Sequence, residues 1–178
     1  MQIHRDTECL ILRRFEETDY PDLWKYKTDP IVCHFLGETP SEEQVKQFLE
    51  QQQTIELAVE GQWNYFALEL KVEKKVIGDV VIKVVSQKNR VGEIGWFLNS
   101  DYHGRGLATE AARALLDLGF TTYDLHRLVA RCDIDNTRSH RLMERIGMQR
   151  EGLFREAVFL RGQWRDEYRY AILDHQWR

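Results

Sequence analysis

The chain has 178 residues, of which 43% are hydrophobic and 30% are charged, and this balance is typical of a globular domain. A formal net charge of −4 argues against a dedicated nucleic-acid binder, so we expect no direct contact with nucleic acid. The N-terminal segment MQIHRDTECL has no apolar signal core, which predicts a cytoplasmic protein without a membrane span. The three cysteines are widely spaced and predict free thiols, with no disulfide framework and no metal site.

The first third of the chain predicts one strand followed by two helices. The segment ECLILRRF predicts the strand, and Tyr20 and Leu23 then begin a run of apolar residues at helical spacing. Ser41 and Gln44 are three residues apart, which is a capping-box pattern for the start of the second helix.

The middle of the chain changes from a helical period to a period of two. The segment NYFALELKV alternates, which places Phe66, Leu68, Leu70 and Val72 on one face of a strand. Two further apolar runs, VIGDVVIKVV and VGEIGWFLN, follow after short polar turns. Residues 63–98 therefore predict a three-stranded antiparallel meander.

The last part of the chain predicts a β-α-β crossover and a terminal hairpin that turns near residues 161–163. A crossover of this kind joins parallel strands and is right-handed. We therefore predict one α/β domain over residues 1–178, of the mixed α+β kind. Its central sheet is mixed and mostly antiparallel, with about seven strands and helices on both faces.

The stretch HGRGLAT, residues 103–109, lies between a predicted strand and a predicted helix. Gly104 and Gly106 would let the backbone approach a ligand closely. The first turn of a helix has unpaired N–H groups and the positive end of the macrodipole, so a pyrophosphate would suit this loop. A tight turn without a ligand would have the same glycines, and these residues alone leave both interpretations open.

Two phosphate-binding interpretations compete. A dinucleotide-binding fold would need a third glycine where the chain has Thr109, and it would need several consecutive β-α-β units. This chain instead has an antiparallel meander before the loop and a hairpin at its end. The second interpretation is a coenzyme A site.

The motifs around the loop resemble those of the GNAT acyltransferase superfamily. HGRGLA resembles its Q/R-x-x-G-x-G/A loop, with His103 at the first position and Ala108 at the last. EIGWFLNSDYHGRG resembles the fourth strand of that superfamily and its exit. DIDNTRSHRLMERIGMQREG resembles the N-x-x-S…K-x-G-F-x-x-E-G segment, with Arg145 for Lys and Met148 for Phe. The resemblance covers nearly the whole chain and is closest to the branch that acetylates ribosomal-protein N-termini.

This resemblance implies an acetyl-CoA-dependent N-acetyltransferase, in which two strands splay apart and pantetheine lies between them. It also implies a homodimer. The implied pantetheine contacts are the backbone groups of Phe97, Leu98 and Asn99. The implied cofactor contacts beyond these are His103, Gly104, Arg105, Gly106, Leu107, Ala108 and Thr109 at the pyrophosphate, with Asn136 and Ser139 along the cofactor arm.

Glu93 is the candidate for the catalytic base. It alternates along its strand with Gly95 and Phe97 and therefore shares their face. In similar enzymes a glutamate on this strand takes the proton of the amine, often through water. A strand glutamate in a cross-strand ion pair would show the same pattern, and the sequence does not separate the two.

Ser139 is the candidate proton donor to the departing thiolate. Many members of the superfamily carry a tyrosine for this purpose where this chain has Met143, which cannot donate a proton. The proton must then come from Ser139 or from water. Asn136 also suits a plain helix N-cap, and Ser139 suits an exposed first-turn serine.

The acceptor is expected to be a primary amine that attacks directly in a ternary complex. An α-amine with a pKa of about 7.7–8.0 is partly neutral at pH 7, unlike a lysine near 10.4. We therefore rank a peptide or protein α-amine first, and small polyamines or aminoglycosides next. Two alternatives stay open at this point, a non-catalytic CoA-binding regulatory module and a nucleotide-binding oxidoreductase. The basic segment HRLVARCDIDNTRSHRLMER has two interpretations as well, solvated faces or a patch that meets phosphates.

Overall fold

The computed structural model describes residues 3–177, and across them one mixed sheet forms the centre of the molecule. The eight strands in chain order are β1 (His4–Asp6), β2 (Leu10–Arg13), β3 (Trp63–Leu70), β4 (Lys75–Ser86), β5 (Val91–Leu98), β6 (Arg127–Asp133), β7 (Gln149–Leu160) and β8 (Gln163–Leu173). Their spatial order is β1-β2-β3-β4-β5-β6-β8-β7. Neighbouring strands are antiparallel except β5 and β6, which are parallel. The predicted mixed, mostly antiparallel sheet is therefore confirmed.

The additional strand is β1, a short edge strand that pairs with β2. Three residues, His4–Asp6, are too few to produce a readable period of two. This is why the sequence predicted about seven strands.

Helices cover both faces of the sheet, as predicted. The helices are α1 (Tyr20–Lys27), α2 (Pro30–Cys33), α3 (Glu42–Thr54), α4 (Leu107–Asp117) and α5 (Thr137–Arg145). A π-helical turn, Leu118–Thr122, continues α4. The helix α2 was not predicted, because its four residues are too short for a periodic signal.

Alternate residues of β3 divide the core into two layers. Phe66 and Leu68 belong to the larger layer, which α4 and α5 cover. Ala67, between them, packs in the smaller layer under α1 and α3. The sheet therefore separates a main core from a smaller aromatic-rich core, and the second of these borders the cleft described below.

One residue of the predicted meander was placed wrongly. Val72 is 85% exposed and lies in the turn after β3, not on its buried face. The N–H of Lys74 donates to the carbonyl of Leu70 at 2.8 Å, so the chain reverses immediately after Leu70. The alternation of apolar residues continues two residues past Leu70, into the turn.

Local signals at two other places are confirmed. The Ser41 side chain accepts from the Gln44 N–H, and the Gln44 side chain accepts from the Ser41 N–H, which is the predicted capping box at the start of α3. The β7–β8 hairpin turns at Arg161 and Gly162. The Arg161 guanidinium donates to the carbonyl of Gly37 at 2.8 Å, so the hairpin tip fixes the loop between α2 and α3.

Candidate active site

A wedge opens between β5 and β6, the two parallel strands. Their pairing consists of Val91 with Arg127, Gly92 with Leu128, and Glu93 with Val129. Beyond Glu93, β5 continues to Leu98 along β4, whereas β6 continues to Asp133 along β8. The strands therefore part after three residue pairs, and the backbone of both borders an open gap of the kind that an extended ligand can enter.

Hydrogen bonds within the protein fix the backbone where β5 ends. The Asn99 N–H donates to the carbonyl of Ile77 at 2.8 Å, and the Asn99 side chain accepts from the Asp101 N–H. The carbonyl of Leu98 lies 2.9 Å from the His103 ring nitrogen Nε2. Of the three residues predicted to meet pantetheine, Asn99 therefore already uses its backbone N–H within the protein.

The loop between β5 and α4 presents a row of unpaired N–H groups. Within residues 3–177, the N–H groups of Gly104 through Ala108 donate to no protein acceptor, whereas that of Thr109 donates to the carbonyl of Gly106. Gly104 and Gly106 have φ angles of +77° and +83°, and a Cβ at either would meet no protein atom within 4 Å. The Leu107 side chain is buried, so only its backbone faces outward. This is a cradle that suits a pyrophosphate.

Arginines from outside the predicted loop surround this cradle. The Arg138 guanidinium lies 3.2 Å from His103 Nδ1, and that of Arg145 donates to the Thr109 hydroxyl at 3.1 Å. Arg105 stacks over the Tyr102 ring, 5.0 Å from its centroid. Guanidinium groups at the N-terminus of a helix favour bound phosphate. The sequence signal for Arg138 and Arg145 was the basic segment. Two other arginines of that segment, Arg127 and Arg131, pair instead with Glu151 and Glu93.

The start of α5 brings Asn136 and Ser139 close to Cys132, which was not among the predicted site residues. The Asn136 side chain accepts from the Ser139 N–H at 3.1 Å, so it is the N-cap of α5. Burial raises the pKa of the Cys132 thiol to about 12, and a hydrogen bond with the Ser139 side chain lowers it in part. Met143 is fully buried in the main core and cannot reach the wedge. Cys132 therefore stays a neutral thiol at pH 7 and is a poor nucleophile.

Glu93 lies at the apex of the wedge between two cations. Its Oε2 is 3.0 Å from Lys83 Nζ, and its Oε1 is 2.8 Å from Arg131 Nε. The side chain is 15% exposed, and Lys83 also lies over the Trp63 ring. The structure thus contains the cross-strand ion pair that the sequence left open. A role for Glu93 in proton transfer stays a prediction.

A cleft opens on the same face, between α1, α3 and β3. It has a volume of about 360 Å³. Its lining residues are Lys27, Glu38, Thr39, Pro40, Gln44, Val45, Phe48 and Tyr65. The aromatic walls come from Phe48 of α3 and Tyr65 of β3, neither of which was a predicted site residue. Glu38 is the one carboxylate in this lining.

The described residues contain no group of three or more His, Cys, Asp or Glu side chains arranged to hold a metal ion. Within residues 3–177, every helix is too short or too polar to span a bilayer.

Comparison with known proteins gives one consistent result. A sequence model of the acetyltransferase (GNAT) domain matches residues 10–149. N-acetyltransferase YnaD of Bacillus subtilis is 35% identical over 98% of this chain and 99% of its own length. The crystal structure of a GNAT-family acetyltransferase from Bacillus anthracis is 34% identical, covers 97% of this chain and 99% of that chain, and superposes with a TM-score of 0.85.

Some of the relatives have an acceptor in their names. Spermidine N(1)-acetyltransferase of Escherichia coli K12 is 31% identical over 63% of this chain and 59% of its own length. Ribosomal-protein-serine acetyltransferase of the same organism is 31% identical over 58% of this chain and 59% of its own length. By their names, one of these enzymes acetylates a small polyamine, spermidine, and the other a ribosomal protein.

The fold, the wedge, the glycine cradle and the family match agree with one another. The sheet has one parallel strand pair, which argues against a dinucleotide-binding oxidoreductase. The similar proteins are acetyltransferases, which argues against a binding module without activity. The chain therefore belongs to the GNAT acetyltransferase family and is an acetyl-CoA-dependent N-acetyltransferase.

Proposed function

We propose that this enzyme acetylates an α-amine of a peptide or protein N-terminus, with small polyamines and aminoglycosides as the second choice. The lining of the cleft supports this ranking most directly. It carries one carboxylate, Glu38, and one ammonium, Lys27. A polyamine or aminoglycoside brings several positive charges, and a site for it needs several carboxylates to replace the lost hydration.

The cofactor would be held by the wedge and the cradle. The N–H groups from Gly104 to Ala108 would bind the pyrophosphate, together with Arg138 and Arg145. The backbone of Leu98, beside the gap, would contact the pantetheine arm, and the Asn136 side chain would donate its remaining N–H groups nearby. The Phe97 ring faces Lys27 on the cleft side of the sheet, so it would separate the two ligands.

Acetyl-CoA supplies an acyl group that is already activated as a thioester, so the protein needs no nucleophile of its own. The buried neutral Cys132 agrees with this. The chain has three tasks, which are to orient the amine, to accept its proton and to supply a proton to the thiolate. Orientation can be worth roughly 7–11 kcal/mol, and a well-placed base typically adds about 10²–10⁴-fold. We assign proton acceptance to Glu93, through water, and proton supply to Ser139.

A thiol-release assay over a panel of acceptors tests the ranking. The panel should contain short peptides with free N-termini, the same peptides with blocked N-termini and one lysine, spermidine, and an aminoglycoside. We expect the free α-amine peptides to give the highest kcat/KM. Faster turnover of spermidine, or a preference for the internal lysine, would contradict the proposed acceptor without affecting the assignment to the family.

The variant Glu93→Gln tests the base with the best acceptor of that panel. It should reduce kcat at pH 7, and higher pH should restore part of the rate because the α-amine loses its proton unaided above about pH 8. Glu69→Gln is a matched control, since Glu69 is also a strand glutamate in an ion pair, with Arg13 at 2.7 Å. Equal rates for Glu93→Gln and the parent from pH 6 to 9 would remove Glu93 as the base.

A further inference from the structure

The inner end of the cleft is an aromatic cage that the protein fills with its own lysine. The ammonium of Lys27 lies within 5.4 Å of four ring centroids, those of Tyr26, Phe48, Tyr65 and Phe97. Cages of this kind bind cations through the negative faces of the rings. Because Lys27 already occupies it, the cage is closed to the ammonium of an acceptor.

A buried carboxylate fixes Lys27 in this place. Asp79 is fully buried on β4, and its Oδ2 lies 2.6 Å from Lys27 Nζ. The Tyr26 hydroxyl donates to the same oxygen at 2.7 Å, and burial beside Asp79 raises the pKa of Tyr26 well above its usual value. Tyr26 therefore stays a donor, and Lys27 cannot leave without exposing Asp79 as an unpaired buried charge.

Lys27 keeps hydrogen-bonding capacity that the protein does not use. An ammonium has three N–H groups, and among the described residues the one polar contact of Lys27 Nζ is Asp79. The side chain is 15% exposed and lines the cleft. A desolvated ammonium with free donors at the base of a cleft favours an oxygen acceptor and repels a second cation.

The Lys27 ammonium lies beside Phe97, and Glu93 is four residues earlier on the same strand. Phe97 pairs with Asp79 across β5 and β4, and Gly95 lies between Phe97 and Glu93 on the same face without a side chain. Strand residues two apart are about 7 Å apart. An amine nitrogen is roughly 3 Å from the carbonyl oxygen of its own residue, and a hydrogen bond adds about 2.9 Å. Glu93 and the Asp79–Lys27 pair thus flank Gly95 on opposite sides along the same face. An α-amine bound opposite Gly95 would have Glu93 on one side for its proton and Lys27 on the other for its carbonyl oxygen.

We infer that Lys27, held by Asp79 inside the aromatic cage, is a specificity-determining residue that binds the carbonyl or carboxylate oxygen adjacent to the acceptor amine. The inference rests on the proposed function and extends it, because it names the chemical group that separates peptide N-termini from polyamines. A polyamine has a methylene or a second ammonium where the peptide has an oxygen, so Lys27 repels it.

The test compares kcat/KM for a short peptide and for spermidine in the parent and in a double variant, Lys27→Met with Asp79→Asn. The double variant removes both charges, fills the cage with an apolar chain and keeps an oxygen for Tyr26, so it should fold. We expect the peptide-to-spermidine ratio to fall by about tenfold or more, the effect of losing one charge-assisted hydrogen bond. Lys46→Met is the matched control, since Lys46 also pairs with a carboxylate, that of Glu42, and lies over a ring, but on the surface.

The outcomes distinguish a failure of the proposed acceptor from a failure of the role inferred for Lys27. A parent that prefers spermidine contradicts the proposed acceptor itself. A parent that prefers the peptide, with an unchanged ratio in the folded double variant, overturns the role of Lys27 alone. Circular dichroism and a melting curve establish folding. If that double variant does not fold, Lys27→Gln with Asp79→Asn gives the same comparison, because it also removes both charges and the glutamine amide can donate to the asparagine oxygen; an unchanged ratio in that variant would also overturn the inference.

Discussion

Replacing Gly106 by alanine tests whether the glycine loop binds acetyl-CoA. The φ angle of Gly106 is +83°, and a Cβ there would meet no protein atom, so the cost without ligand is backbone strain alone. A left-handed conformation costs an L-residue roughly 1–2 kcal/mol. In a domain of this size 1 kcal/mol changes the melting temperature by about 2–4 °C. We therefore expect the ligand-free variant to melt about 2–8 °C below the parent.

Gly61 provides the matched control. Its φ angle is +81°, and a Cβ there would also meet no atom within 4 Å. It lies just before β3 and not in the loop that faces the wedge. Its N–H donates to the carbonyl of Val84. Gly61→Ala should therefore lower the melting temperature by a similar amount while leaving the ligand site intact.

The ligand response separates the two variants. Acetyl-CoA at 100 times its dissociation constant stabilises the parent by about 2.7 kcal/mol, which corresponds to about 5–11 °C. The added Cβ occupies the space through which a pyrophosphate would approach the N–H groups of the cradle. If binding weakens 100-fold, the same ligand concentration adds only about 0.4 kcal/mol, or roughly 1–2 °C.

The assay is a thermal melt of the three proteins with no ligand, with acetyl-CoA and with NADH. The parent and Gly61→Ala should respond to acetyl-CoA, whereas Gly106→Ala should respond weakly. An undiminished response in Gly106→Ala would refute the argument that this loop contacts the cofactor. A larger response of the parent to NADH would contradict the cofactor itself.

Three further predictions concern proton supply, acid stability and assembly. Ser139→Ala should lower turnover more than it weakens acetyl-CoA binding, because Met143 is buried and cannot replace the hydroxyl; unchanged turnover, with chemistry rate-limiting, would assign the proton to water. Burial would by itself raise the pKa of Glu110, but hydrogen bonds from Thr7 and from the Cys9 N–H lower it below 4.5. Because the unfolded chain then binds the proton more readily, this stabilisation is present above about pH 4.5 and is lost as pH falls through the folded-state pKa; Glu110→Gln should be less stable than the parent to urea at pH 7, the difference should shrink as the pH falls below about 4.5, and a constant difference would contradict this. A homodimer stays a prediction, and light scattering that gives the monomer mass of 21.2 kDa would count against it.

Much of the fold could be predicted because its signals are local. The capping box at Ser41 and Gln44, the meander of β3 to β5 and the hairpin turn at Arg161 each depend on residues within a few positions of one another. The glycine loop was found in the same way, since its φ requirement and the start of α4 are adjacent in the chain. The errors were also local, as at Val72, where a period of two continued two residues past the end of its strand.

The chemistry of the site depends on pairs that are distant in the chain. Lys27 meets Asp79, and Glu93 meets Arg131, across different elements of the fold. Helical or strand periodicity assigns each of these residues to a face but does not select its partner. The sequence carries no signal that marks the Phe48 and Tyr65 rings as site residues, and only the packing of α3 on β3 makes them walls of a cleft. The sequence by itself determined the order of the longer helices and strands and the place of the glycine loop, whereas tertiary packing decided which charges are paired and which donors remain free for an acceptor, because those contacts depend on the three-dimensional approach of separate elements.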